Sequence, residues 1–166
     1  MAHPRYGCLD PNPVTVEYPC GADEVWHHAG ANVCLLDATG YISQALSATD
    51  KVFGYAIVPT GMGAGSAVAS WKASATEGAD KIPVILATAG YEFLLPSDGT
   101  PTIAQVGDEC DLLNASATDT TASLIDIGSS STESFIIQGR GVDYHAGCAV
   151  TDVVVKFNPA ELQADT

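Results

Sequence analysis

No segment of the chain holds a 3.6-residue apolar period for three turns, and this restricts the fold more than any other feature. In place of amphipathic helices stand short runs rich in Val, Ile, Phe and Tyr, broken by clusters of Gly, Asp, Asn, Ser and Thr. Strands are expected over NVCLL (32–36), KVFGYAIV (51–58), SAVASW (66–71), KIPVILA (81–87), YEFLL (91–95), ECDLL (109–113), ASLIDI (122–127), ESFIIQGR (133–140) and VTDVVVKF (150–157). Turn signals such as DATG (37–40) and SDGT (97–100) fall between them. The best helical stretch, AVASWKASATEG (67–78), is laden with Ser and Thr and reads as well as an edge strand. The pattern predicts an all-β chain, a small β-barrel or sandwich.

The first 23 residues differ in kind. Prolines at positions 4, 11, 13 and 19 forbid a helix and interrupt any long ladder. An extended N-terminal arm is expected over residues 1–25, followed by a single β-rich domain over 26–166. Tyr6, Leu9, Val14, Val16 and Tyr18 give the arm apolar surface to bury, which favours docking over disorder.

Charge removes whole classes of partner. With 20 Asp and Glu against six Lys and Arg, the net charge of -14 repels phosphate backbones and anionic lipid, so neither nucleic acid nor a membrane surface is expected. Only 16% of residues are charged, so much of the surface is small or apolar, as suits a protein that lies against another one. The five cysteines, Cys8, Cys20, Cys34, Cys110 and Cys148, include no CxxC pair and suggest neither a disulfide framework nor a zinc signature. The opening residues show no leader pattern, and buried thiols in a reducing cytoplasm are expected.

The most compact cluster of reactive side chains is GDECDLLNAS (107–116), with Asp108, Glu109 and Asp111 around Cys110. A strand beginning at Glu109 sends Cys110 and Leu112 to one face and Glu109, Asp111 and Leu113 to the other. Nothing nearby supplies the closed oxygen cage of a hard cation or the apolar pocket of a catalytic acid, so Glu109 and Asp111 are expected on a wet face. GANVCLLDAT (30–39) aligns with this stretch without gaps and lacks all three carboxylates, which marks a repeated structural element.

Other candidates are weaker. Adjacent His27 and His28 point to opposite faces of a strand. His145 and Cys148 have a spacing that two zinc ligands use, with His27 or Cys34 as partners from elsewhere. GMGAGS (61–66) departs from a dinucleotide-binding loop at Ser66 and has no βαβ succession behind it, so it is expected as a hairpin tip. Asn114-Ala115-Ser116 matches a glycosylation acceptor but has no secretion signal to give it meaning. Trp26 and Trp71 suit either a core or a subunit contact.

The order of features from residue 30 onward resembles the head decoration (cement) proteins of tailed bacteriophages. The resemblance rests on Gly30, Val33, Leu35, Gly40 and Ile42, then Val52, Phe53, Gly54 and Tyr55, then Val84 through Phe93; Ala31 stands where the family pattern has Asp. It implies a homotrimer, or less often a monomer, on the exterior of a virion capsid, assembled in the host cytoplasm, which clamps neighbouring major capsid proteins without a catalyst or cofactor. The arm residues Arg5, Tyr6, Leu9, Val14, Val16 and Tyr18 are then expected to touch the shell, with strand addition as one mode and Arg5 pairing a shell carboxylate. The competing expectation is a small β-barrel enzyme or metal-binding domain built on His145 and Cys148. A head-fibre base or tail component is a third.

Overall fold

The computed structural model describes residues 6–27, 30–45, 51–58, 70–113 and 123–162. Among these the chain forms thirteen strands: β1 (Gly7–Cys8), β2 (Val16–Pro19), β3 (Val25–His27), β4 (Val33–Leu36), β5 (Ile42–Gln44), β6 (Gly54–Ala56), β7 (Ser70–Lys72), β8 (Lys81–Leu86), β9 (Glu92–Pro96), β10 (Glu109–Leu113), β11 (Leu124–Asp126), β12 (Phe135–Arg140) and β13 (Asp152–Phe157). One four-residue helix, α1 (Gly141–Tyr144), follows β12. Each run expected as a strand overlaps one of these elements. The GMGAGS stretch, expected as a hairpin tip, and the Asn114-Ala115-Ser116 triplet lie outside the described residues.

Between ladders that are antiparallel throughout, the strands divide into a six-stranded sheet (β1-β9-β13-β12-β10-β11), a five-stranded sheet (β2-β8-β6-β4-β5) and a two-stranded ribbon (β3-β7). The architecture is a sandwich and not a closed barrel. Its main core lies between the two large sheets and holds Phe93, Leu95, Cys110, Leu112, Ile125, Phe135, Ile137, Val153, Val155 and Phe157 from the larger one, against Val33, Tyr55 and Ile85 from the smaller. Phe157 packs on Phe93 and Phe135 with ring centroids 5.1 and 5.3 Å apart, offset geometries that aromatic quadrupoles favour.

A second core fills the opposite face of the five-stranded sheet, where Cys34, Ile42, Ala56, Ile82 and Val84 meet Trp26 and Trp71 of the ribbon. Trp26 and Trp71 are cross-strand partners and both are buried, so of the two roles open to them the core one is realised within the chain. This double coverage explains the uninterrupted apolar runs at NVCLL and KIPVILA. Strand β12, with one face wet, instead alternates buried Phe135, Ile137 and Gly139 with half-buried Ile136, Gln138 and Arg140. Beyond β2 the chain crosses one end of the five-stranded sheet, and Cys20 bridges Ile42 on the far edge strand.

Pro83 sits in β8 between two neighbours, a position that normally excludes proline. The backbone N–H of Ile57 donates to the Pro83 carbonyl at 2.8 Å, so the polar groups of Pro83 face the β6 side, where the regular strand ends at Ala56. The missing donor therefore falls where the ladder is already ending.

Candidate partner-binding strap

The stretch expected as an arm is extended over its described part, and it is paired within the molecule. β1 adds to β9, with Gly7 opposite Leu94 and Cys8 opposite Phe93. β2 adds to β8, with Val16 opposite Val84 and Tyr18 opposite Ile82. Residues 9–15 thus form a strap from the edge of one large sheet to the edge of the other. Between its ends the backbone N–H of Leu9 donates to the Glu92 carbonyl at 2.9 Å, and that of Val14 donates to the Tyr91 hydroxyl at 3.2 Å. Asp10 Oδ1 accepts from the Asn12 backbone N–H at 2.8 Å, a local turn that suits the Asp-Pro-Asn-Pro sequence.

The six residues expected to touch a partner separate into distinct roles. Leu9, Val14 and Val16 are 37%, 70% and 41% exposed, large apolar side chains open to solvent. Tyr6 and Tyr18 instead hold the segment down. The Tyr6 hydroxyl donates to Asp152 Oδ1 at 3.0 Å, and its ring packs on the main core. Burial, then the Asp152 carboxylate, pushes the Tyr6 pKa up to about 12. Tyr18 stands edge-on to Phe53 at 5.0 Å within the second core. Arg5 lies outside the described residues.

The outer edge of β2 offers little backbone for another strand. Because the Pro83 carbonyl points toward Ile57, the alternation of an antiparallel ladder turns the polar groups of Val84 and Ile82, and of their partners Val16 and Tyr18, into the β2–β8 pairing. Glu17 is left facing outward with an exposed, charged side chain, and Pro19 contributes no donor. Prolines and charges on a short edge strand are the usual means of blocking edge-to-edge pairing.

The acidic stretch at 107–116 requires one correction. Cys110 and Leu112 face the main core and Glu109 is exposed, as expected, but Asp111 is buried rather than on a wet face. Asp111 Oδ2 accepts from the Ser129 hydroxyl at 2.8 Å and from the Ser131 backbone and hydroxyl at 2.7 and 2.8 Å. Its Oδ1 accepts from the backbone N–H groups of Thr132 and Glu133 at 2.9 and 2.7 Å. Burial alone would raise the carboxyl pKa; the hydrogen bonds from Ser131, Thr132 and Ser129 outweigh it and hold the pKa below the ordinary aspartate value. The run Ser129-Ser130-Ser131-Thr132-Glu133, rich in small hydroxyl residues, was the signal in the sequence for this loop around an anion.

The echo between 30–39 and 107–116 is structural. Val33 and Leu35 in β4 occupy the positions of Cys110 and Leu112 in β10, and both pairs address the main core from opposite sheets. The intervening position faces the second core as Cys34 in one copy and the 129–133 loop as Asp111 in the other. What stands outside each sheet therefore selects thiol or carboxylate.

His145 and Cys148 are engaged in one local turn. His145 Nδ1 accepts from the Gly147 backbone N–H at 3.1 Å, and the Cys148 backbone N–H donates to the His145 carbonyl at 3.1 Å. His27 and Cys34 are buried in β3 and β4, while His28 lies outside the described residues. Among the described residues no three His, Cys, Asp or Glu side chains are grouped to hold a metal ion. Every cysteine has its pKa raised, chiefly by burial, to about 11 for Cys20 and about 12 for Cys110. None has the depressed pKa of an activated nucleophile. Comparison with family models, with curated proteins and with solved structures finds no match.

Proposed function

We propose that this chain is a structural virion protein, a homotrimer that decorates the outside of a phage capsid and clamps neighbouring major capsid proteins. The observation that carries the reading is the strap: a proline-rich segment, pinned at both ends and at Val14, that displays Leu9, Val14 and Val16 to solvent. Segments held in a fixed conformation before binding lose little entropy on docking. Covering what is still exposed of each such side chain contributes about 0.5–2 kcal/mol. Repetition of modest contacts over a shell stabilises the assembled state through mass action and multivalency. The resemblance to head decoration proteins supports the same reading, and neither a cofactor nor a reacting group enters it.

Purified phage heads test it directly. The protein is expected to copurify with them in a copy number comparable to that of the major capsid protein, and to sediment alone at three chain masses. Its absence from purified heads overturns the proposal. Deletion of residues 1–20 is a poor test of binding, since it strips an edge strand from each large sheet and removes the Cys20–Ile42 bridge. Point substitutions in the exposed strap leave those elements in place.

A further inference from the structure

We infer that the strap docks through its side chains, and not by strand addition, into an apolar groove rimmed by Lys and Arg on the partner's surface. The inference rests on the capsid-decorating reading and specifies the chemistry of the contact. Three observations lead to it.

First, Leu9, Val14 and Val16 lie on a segment in which Asp10, Pro11, Asn12, Thr15 and Glu17 are exposed as well. The hydrogen bonds of Leu9 to Glu92 and of Val14 to Tyr91 fix the segment before any partner arrives. A partner meets a set of preformed knobs. Second, the outer edge of β2 is blunted by Glu17 and Pro19, so a partner strand finds few backbone groups to pair with. Third, residues 9–17 contain two acids and no base. The chain has only six basic residues, and among the described ones Lys72 pairs with Asp23 at 2.8 Å and Arg140 with Asp143 at 2.7 Å. Asp10 and Glu17 oppose a second copy docked strap to strap and favour a cationic partner at this surface by charge complementarity.

Co-sedimentation with expanded, undecorated heads assembled from the major capsid protein tests the inference. Val14→Asn is expected to weaken binding about 10-fold or more, as for an apolar anchor at an interface centre. The pair Asp10→Lys and Glu17→Lys is expected to weaken it by about 10-fold, and added salt to weaken the wild type, through lost attraction to the cationic rim. An unchanged thermal midpoint in each variant shows that the fold is intact; because the two variants perturb different properties, misfolding of one leaves the other decisive. Binding by both within about twofold of wild type, with no salt dependence, overturns side-chain docking while leaving the capsid reading in place. Failure of the wild type to bind heads overturns both.

Discussion

Asp111 shows how far one buried side chain organises its surroundings. Its carboxylate accepts hydrogen bonds from Ser129, Ser131, Thr132 and Glu133, closing the loop between β11 and β12. Glu133 is held there at a φ of 60°, in the left-handed region that side chains seldom adopt. Asp111→Ala removes a charged acceptor and leaves several part-buried donors without their partner, and is expected to lower stability by about 1–3 kcal/mol, measured by urea unfolding at pH 7. The pH dependence has a definite sign. A carboxyl whose folded pKa is depressed contributes stability in full above its ordinary value, about 3.9, and loses it as pH falls through the folded value. The gap between wild type and variant should therefore begin to narrow below about pH 4 and go on narrowing as pH falls through the folded value, and a gap that does not narrow at all on acidification counts against the carboxylate's role.

At the scale of elements, close packing at the middle of the five-stranded sheet sets the tightest requirement. Gly54 in β6 lies between β4 and β8, where an added Cβ would meet the Ile85 carbonyl oxygen at 2.5 Å and Val84 Cγ1 at 2.7 Å. Neither neighbour is free to move, since one is backbone and the other is held between the second core and β2. Gly54→Ala is expected to destabilise by about 1–3 kcal/mol in chemical denaturation, the usual magnitude for overpacking. A neutral result would mean that β6 and β8 lie farther apart than described. Gly54 is one of the residues behind the family resemblance, but nothing in the run KVFGYAIV states the packing that requires a glycine there. The requirement comes from β8, about thirty residues away, which explains why local reading could find the strand and not the constraint.

For the whole molecule, two cores and one strap account for the distribution of chemistry. Cys20, Cys34 and Cys110 lie in the cores and are buried, whereas Cys8 and Cys148 are half-exposed near the edge of the six-stranded sheet. A thiol reagent at mildly alkaline pH is expected to modify two cysteines readily in the native protein and the other three only after denaturation. Equal reactivity of all five would contradict the described packing. The strap is the feature with the widest reach, because it closes one side of the sandwich while displaying Leu9, Val14 and Val16 outward. A segment that serves the fold and the contact together cannot be removed to study only one of them.

The sequence by itself determined the all-β class, the alternation that sends Cys110 and Leu112 inward, the extended geometry of the proline-rich start and the parity of the two echoed decapeptides. These are local properties: side-chain period, turn chemistry and the fixed φ of proline act within a few residues. Tertiary structure alone decided that Asp111 is buried, that Tyr6 and Tyr18 hold the strap while Leu9, Val14 and Val16 face solvent, and that the architecture is a sandwich with a ribbon over its smaller sheet. The physical reason is common to all three. A strand pattern assigns side chains to two faces, but whether a face is wet depends on what packs against it: the 129–133 loop over Asp111, Asp152 and Phe53 beside the tyrosines, and Trp26 and Trp71 over Cys34 and Ile82.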